Sequence, residues 1–285
     1  MKLSLTITSF PEQQFGPFLA ETGRAADAAG LDTVWVADHL LQADPTHSLH
    51  DPILEAYTTL GYLAAQTTRV RLGTMVTAVT YRPASLLVKA VTTLDVLSDG
   101  RAWLGIGAGY HRGEAQALGL PLPPARERFV TLEETLELAL QMWSDNLAPF
   151  HGEVLNAEQP IGHPLPVSRP RPHILIGGTG EQRTLPLVAR YADACNLFDI
   201  PDGGVTVRRK LDVLQRNCEA ISRPWSEIQK SIVTRLRPDE SANALAQRCR
   251  AFGELGLDHV IFMHPETWTT ESVDLVGDAA ALLAA

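Results

Sequence analysis

Residues 98–129 read SDGRAWLGIGAGYHRGEAQALGLPLPPARERF, and this stretch decides the fold of the chain. An apolar strand predicted over 102–106 runs into three alternating glycines, Gly105, Gly107 and Gly109. Because successive side chains of a strand point to opposite faces, these glycines remove every Cβ from one face at the end of the strand. We therefore expect bare backbone there, against which a flat group can lie.

A second glycine cluster, LIGGTGE at 175–181, follows another apolar strand and opens a predicted helix. Amide groups at a helix N-terminus have no partner within the helix, and the helix dipole adds to their attraction for phosphate. The predicted anion site consists of Gly177, Gly178, Thr179 and Gly180. A glycine-rich turn without a ligand is the alternative. Two such clusters at strand ends indicate a barrel enzyme that binds a planar, phosphate-bearing cofactor.

Apolar or β-branched runs alternate with helical periodicity along the whole chain. The predicted strands are 3–8, 33–36, 70–77, 102–106, 173–176, 194–198, 229–234 and 259–263. The predicted helices are 16–29, 51–66, 84–98, 126–145, 180–191, 204–221, 241–255 and 271–284. Eight strands, each followed by a helix, predict an α/β fold, a (β/α)8 TIM barrel, which we expect to form one domain over 1–285. A doubly wound open sheet is the rival, but no nucleotide-binding fingerprint follows the first strand.

The fourth and fifth predicted strands are separated by about 70 residues, about twice the longest spacing found elsewhere. The intervening regions 109–126 and 149–172 are rich in proline, glycine and histidine. We expect them to form an insertion over the carboxyl face of the barrel, where the active sites of this fold lie.

The composition excludes several classes of protein. The chain is 45% hydrophobic and 20% charged, with a formal net charge of −9, which argues against a nucleic-acid partner. No apolar run is long enough to span a membrane, and the first residues do not resemble a signal peptide. The three cysteines, Cys195, Cys218 and Cys249, are too scattered for a disulfide framework, and the nine histidines do not have ligand spacing. We expect a cytoplasmic protein without a metal site.

The second and third predicted strands each supply candidates for chemistry. Asp38 and His39 fall at the carboxyl end of the second strand, where an acid and an imidazole can exchange a proton with a bound ring. The alternative is that Asp38 caps a loop and His39 is structural. In the third strand, the unusual Gly73-Thr74 step predicts a bulge at Thr74, Met75 and Val76 against a flat ligand, or else a strand that ends early.

The fourth strand supplies the remaining candidates for cofactor binding. Bare backbone is expected at Gly107, Ala108 and Gly109. Polar side chains follow directly, from Tyr110, His111, Arg112 and Glu114. The alternative is that Arg112 and Glu114 only begin a helical turn.

The chain resembles the luciferase-like monooxygenase superfamily and, within it, oxidoreductases that depend on the deazaflavin coenzyme F420. The matching blocks are GLDTVWVADH (30–39), RLGTMVTAVTYRP (71–83), DGRAWLGIGAGYHRGEAQALG (99–119), PPARERFVTLEETLELALQMW (123–143) and ILIGGTGEQRTLPLVARYADACNLF (174–198). The resemblance covers most of the chain up to about residue 200 and is thinner beyond it. It is more specific for the superfamily than for F420 over FMN.

The resemblance implies a flavin-like ring at the carboxyl face of a TIM barrel, in a protein that pairs as a homodimer. It implies a bulge with a non-prolyl cis peptide bond at Thr74, Met75 and Val76, and cofactor phosphate on Gly177, Gly178 and Thr179. It also places His39 near the hydride-bearing carbon, with Asp38 beside it. The sugar-phosphate branch has a glutamate after the last glycine of the fourth strand, whereas this chain has Tyr110, and its lysine-rich pocket is not evident here.

We therefore predict an F420-dependent oxidoreductase that moves a hydride between the deazaflavin and a small organic substrate, namely an alcohol, a carbonyl compound or an activated alkene. In this interpretation His39 exchanges a proton with the substrate and Asp38 orients it, while Arg82, Arg112 and Arg183 are weaker candidates for the acidic tail of the cofactor. The alternatives are an FMN-dependent monooxygenase that uses reduced flavin and O2, and a non-catalytic flavin-binding barrel.

Overall fold

A closed barrel of parallel strands forms the centre of the protein, as the computed structural model shows for residues 1–284; Ala285 of the predicted domain lies outside the described residues. The strands are β1 (Lys2–Ile7), β2 (Thr33–Val36), β3 (Arg71–Thr74), β4 (Thr77–Ala78), β5 (Ala102–Gly107), β6 (Phe150–His151), β7 (Asn156–Ala157), β8 (His173–Gly177), β9 (Ala194–Phe198), β10 (Gln229–Arg235) and β11 (His259–Met263). Strands β3 and β4 together occupy the position of the third barrel strand, and β6 and β7 form a separate hairpin. Parallel pairing of β1 with β11 and of β3 with β5 closes the barrel, so the predicted (β/α)8 fold is confirmed.

The helices surround the barrel and bury one apolar face each. They are α1 (Phe15–Ala28), α2 (Ala56–Gln66), α3 (Ala84–Leu97), α4 (Arg112–Leu118), α5 (Ala125–Trp143), α6 (Thr184–Tyr191), α7 (Val205–Ala220), α8 (Ala242–Glu254) and α9 (Thr270–Ala284). In α5, for example, Leu132, Leu136, Ala139 and Trp143 recur every three or four residues and are all buried. None of the helices within residues 1–284 has the length and apolar character needed to cross a membrane.

The two regions of the predicted insertion have different positions. Region 109–126 follows the carboxyl end of β5 and contains α4, so Arg112 and Glu114 do begin a helix. Region 149–172 does not cover the carboxyl face, because α5 returns the chain to the amino-terminal end of the barrel, where β8 must begin. There Ser168 donates a hydrogen bond from Oγ to Oδ1 of Asp95 (2.6 Å), next to the end of α3. For 149–172 the expectation was wrong.

The interior of the barrel is filled with side chains. Trp35, Trp103, Leu175, Ala194 and Ile261 form a buried cluster that is separate from the core between the strands and the helices. The two indole rings lie 5.6 Å apart between their centroids. Because this layer closes the barrel from within, a ligand can only approach from the open ends.

The bulge between β3 and β4 fills the space that the glycines leave. The peptide bond between Met75 and Val76 is cis, at the position that the family resemblance implies. A Cβ added to Gly105 would lie 1.8 Å from the carbonyl oxygen of Thr74, and one added to Gly177 would lie 2.7 Å from Cγ2 of Val76. At Gly107 the same Val76 atom would be 3.1 Å away. The expectation that the alternating glycines expose bare backbone to a ligand was therefore wrong for Gly105 and Gly107, which accommodate the bulge.

We predict that Gly105→Ala strongly destabilises the protein, because the new methyl group would overlap a backbone carbonyl that has no room to move. The loss should exceed about 3 kcal/mol, at the upper end of overpacking effects. Gly61→Ala is the matched control, because nothing lies within 4 Å of a Cβ at that position of α2. The control should be neutral or more stable by up to about 1 kcal/mol. Urea unfolding of the two variants measures both effects, and equal stabilities would contradict the packing argument.

Candidate active site

The carboxyl ends of β2, β4 and β5 lie side by side at one edge of the carboxyl face of the barrel. Val36 is paired with Thr74, and Ala78 is paired with Gly107. The residues that follow these strands therefore converge at the carboxyl face, among them His39 after β2 and Tyr81 after β4. This edge brings together the predicted site residues of the second, third and fourth strands.

Glu114 is the central side chain of this edge. Its carboxylate is 1% exposed and accepts hydrogen bonds from two loops. Oε2 lies 2.8 Å from Nδ1 of His39 and also accepts a hydrogen bond from the hydroxyl of Tyr81. Oε1 accepts the backbone N–H groups of Leu40 (2.5 Å) and Leu41 (3.1 Å). All of these contacts are internal to the protein, and the contact of Glu114 with the cofactor stays a prediction.

The environment of Glu114 keeps it ionised. Burial on its own would raise the pKa of this carboxyl group, but hydrogen bonds from His39, Tyr81 and the Leu40 amide, together with the charge of His39, lower the pKa to about 2. An ionised carboxylate only accepts hydrogen bonds. Nδ1 of His39 must therefore carry a proton, and Nε2 is the nitrogen of His39 that remains for a ligand.

Asp38 belongs to a different group of charges. It is completely buried and receives two hydrogen bonds from Arg82, from Nη1 to Oδ2 (2.6 Å) and from Nη2 to Oδ1 (3.0 Å). The Arg82 guanidinium also bonds Glu55 and lies 4.8 Å from the centroid of the Tyr57 ring. Two predictions were therefore wrong: Glu114, rather than Asp38, orients His39, and Arg82 is occupied by carboxylates of the protein.

Three aromatic rings stand together beside Glu114. The ring centroids of His39 and Tyr110 are 6.0 Å apart, those of His39 and His111 are 5.7 Å apart, and those of Tyr110 and His111 are 5.8 Å apart. All three pairs have edge-to-face geometry. Tyr110 is 71% exposed, so the cluster faces solvent at the mouth of the barrel.

The second glycine cluster forms a loop between β8 and α6. Helix α6 begins at Thr184 rather than at 180, so the amides of the cluster belong to the loop and not to the first turn of the helix. Within the described part of the chain, the amides of Gly178, Thr179 and Gly180 donate no hydrogen bond to the protein. Gly178 has φ of +111°, a conformation that residues with a Cβ rarely adopt. The loop therefore offers unpaired N–H groups to an anion.

The two remaining arginine candidates are exposed. Arg112 begins α4, and Arg183 precedes α6 with its guanidinium 5.5 Å from the centroid of the Phe129 ring. Ala108 is half-buried against the main core. Within residues 1–284, no three histidine, cysteine, aspartate or glutamate side chains gather into a group that could hold a metal ion.

A sequence model described as luciferase-like monooxygenase matches residues 12–254. The chain belongs to this family. Among curated relatives, the F420-dependent glucose-6-phosphate dehydrogenase of Kineococcus radiotolerans is 32% identical over 257 residues, which cover 86% of this chain and 71% of the relative.

Solved structures of similar fold extend over the whole chain. An F420-dependent secondary alcohol dehydrogenase in complex with an F420–acetone adduct superposes with a TM-score of 0.84 at 15% identity, covering 99% of both chains. A monooxygenase from Streptomyces bottropensis superposes with a TM-score of 0.80 at 18% identity, covering 100% of both chains. At these identities the structural matches establish the barrel fold.

Sequence reasoning missed three members of this luciferase-like site, namely Tyr81, Glu55 and Tyr57. Tyr81 lies three residues after the end of β4, and its polar character near a strand end was the available signal. Glu55 accepts an N–H group at the start of α2 (Thr58) as well as the Arg82 guanidinium, so its position in the sequence is that of an ordinary helix cap. The hydroxyl groups of Tyr57 and Thr77 form a hydrogen bond of 2.8 Å, which joins α2 to β4.

We predict that Glu114→Gln destabilises the protein by about 1–3 kcal/mol at neutral pH, because an amide cannot accept from all four donors. Since the folded pKa of Glu114 lies near 2, below its usual 4.5, the carboxylate stabilises the fold above about pH 4.5 and loses this effect as the pH falls toward 2. The difference between variant and wild type should therefore shrink between pH 7 and pH 3. Urea unfolding at both pH values measures it, with Glu158→Gln, at an exposed position, as the control. A difference that stays constant with pH would refute this assignment.

Proposed function

We propose that this protein is an F420-dependent oxidoreductase that transfers a hydride between the deazaflavin and a small organic substrate. The observation that carries the proposal is the His39–Glu114 pair, which lies at the carboxyl mouth of the barrel next to the bulge at Met75–Val76. The relative from Kineococcus radiotolerans, named for F420 dependence, supports the choice of cofactor.

The residues of the mouth fit such a cofactor. The unpaired amides of Gly178, Thr179 and Gly180 would hold its phosphate, and the half-buried Met75 and Val76 would contact its ring. When it is bound, the deazaflavin supplies a carbon that accepts or donates a hydride. FMN has the same ring shape and a phosphate, and it is the alternative cofactor that the tests below must separate from F420.

His39 would act on the proton of the substrate. Glu114 fixes its Nδ1–H, so Nε2 can take the hydroxyl proton of an alcohol while the carbon of that alcohol loses a hydride. The products are then a carbonyl compound, a reduced cofactor and a protonated His39, which returns its proton to solvent. In the opposite direction the same nitrogen delivers the proton.

We predict that His39→Ala lowers kcat at least about tenfold, in line with the loss of a proton-transfer group, while the Kd for F420 changes little. The exposed His151 of the β6–β7 hairpin, when changed to Ala, is the matched control and should retain wild-type turnover. Wild-type kcat in the His39 variant would remove this residue from the chemistry.

We predict that Gly178→Ala weakens F420 binding at least about tenfold, because a Cβ at positive φ changes the path of the loop that presents the amides. Gly30→Ala carries the same type of backbone strain, with φ of +72° and nothing within 4 Å of its Cβ, at the amino-terminal end of the barrel. It should bind F420 like the wild type. Equal affinities in both variants would place the phosphate elsewhere.

The experiment that tests the function is an anaerobic assay of F420 absorbance with secondary alcohols as hydride donors, and of reduced F420 with ketones and enones. We expect turnover in at least one direction. Oxygen consumption with reduced FMN, together with no F420 turnover, would instead assign the protein to flavin-dependent monooxygenases. Tight binding of F420 without turnover of any alcohol, ketone or enone in either direction would indicate a non-catalytic carrier.

We also propose that the protein is a cytoplasmic homodimer. Tyr62 on α2 and Leu86 and Leu97 on α3 leave apolar surface exposed on neighbouring helices, where a second copy could pack. Cys195, Cys218 and Cys249 are all buried free thiols, which fits a reducing compartment. Light scattering after gel filtration tests the dimer, and a monomer mass would exclude it.

A further inference from the structure

Glu114 contacts two imidazoles through two chemically opposite groups. Its carboxylate oxygen Oε2 lies 2.8 Å from Nδ1 of His39, and its backbone N–H donates to Nδ1 of His111 at 2.9 Å. The first group accepts hydrogen bonds and the second group donates one. One residue therefore imposes opposite requirements on the same ring nitrogen of two neighbouring histidines.

The tautomer of each neutral imidazole follows from these contacts. A carboxylate requires a proton on Nδ1 of His39, which leaves a lone pair on Nε2 of His39. An amide N–H requires a lone pair on Nδ1 of His111, which leaves the proton on Nε2 of His111. His111 is the N-cap residue of α4, so this second contact is part of the start of the helix.

The two imidazoles are close enough to serve one substrate atom. Their ring centroids are 5.7 Å apart and their planes are inclined by 72°. His39 has a side chain that is 21% exposed, and His111 is half-buried, so both rings border the mouth. Each ring has one nitrogen that the hydrogen bonds within the described residues leave free.

We propose that His111 is a second catalytic residue, which donates its Nε2–H to the substrate oxygen while Nε2 of His39 exchanges the proton. The inference rests on the proposed function. A lone pair next to an N–H matches a hydroxyl group, which donates one hydrogen bond and accepts another, and also the carbonyl oxygen formed from it. The pair therefore selects alcohols and their carbonyl products, with the oxygen on the carbon that exchanges the hydride.

As the alcohol carbon loses its hydride to the cofactor, the O–H bond breaks and its proton passes to Nε2 of His39. The oxygen becomes a carbonyl oxygen that keeps the hydrogen bond from His111. This donor stabilises the negative charge that builds up on the oxygen in the transition state, as donors of an oxyanion hole do.

The tautomers can be measured without cofactor or turnover. Long-range 1H–15N correlation spectra of the full chain at about pH 8 distinguish the two nitrogens of each neutral imidazole. His39→Gln and His111→Asn variants assign the signals. We expect His39 to be protonated on Nδ1 and His111 on Nε2. Protonation of both rings on the same nitrogen, or the reverse pattern, would overturn the proposal.

A kinetic comparison tests the donor itself. Asparagine at position 111 can still accept the Glu114 amide as an N-cap, but it is too short to replace Nε2, whereas His111→Ala removes both functions. We expect His111→Asn to keep the wild-type Tm and F420 Kd but to lower kcat/KM for cyclohexanol oxidation at least about tenfold, toward the losses of about 100-fold seen for oxyanion donors. His111→Ala should show the same kinetic loss and a lower Tm.

The outcomes separate this inference from the function on which it rests. Wild-type kcat/KM in His111→Asn would refute the role of His111. F420 binding without turnover of any secondary alcohol or ketone, but with reduction of an alkene that carries no carbonyl group, would refute the substrate class. Failure of the wild-type protein to bind F420 would refute the proposed function instead, while the tautomer measurement would still test the arrangement of the two histidines.

Discussion

The buried carboxylate of Glu114 joins three segments of the chain that no strand pairing connects. It belongs to α4, and it binds His39, Leu40 and Leu41 in the loop after β2 and Tyr81 after β4. These contacts hold α4 to both loops, while the ion pair of Asp38 and Arg82 joins the two loops to each other. The cost of burying the charge is offset by four donors, which is the condition under which an ionised group is stable inside a protein.

A packing constraint complements this electrostatic one. The bulge at Thr74–Val76 occupies the space beside β5 and β8, and glycine is required wherever it approaches their backbone. Gly105 adjoins the Thr74 carbonyl, and Gly177 adjoins the Val76 side chain. The glycines that mark the site in the sequence thus act indirectly, by allowing the bulge to stand at the mouth where a flat ring can contact it.

Much of the barrel could be predicted from the sequence, because each strand and helix carries its own periodicity. Residues 33–36, 194–198 and 259–263 were predicted as strands with the bounds that the structure has. Helix α4 was left as an alternative, because seven residues beginning at Arg112 form barely two turns and carry little periodic signal.

The partners within the site could not be predicted in the same way. Asp38 and His39 are adjacent in sequence, but adjacent residues of an extended segment point to opposite sides, so Asp38 faces Arg82 and His39 faces Glu114. His39 and Glu114 are 75 positions apart, and only the closure of the barrel brings them together. Local patterns located the ends of the strands, whereas the pairing of charges depends on tertiary packing.

We expect the carboxyl mouth of this barrel to hold a deazaflavin. Titration of the purified protein with F420 and, separately, with FMN, followed by the fluorescence of each cofactor, tests it most directly. We expect saturable binding of F420 with a Kd of about 1 μM or below, corresponding to about −8 kcal/mol, and much weaker binding of FMN. Tight binding of FMN without binding of F420, or binding of neither, would contradict it.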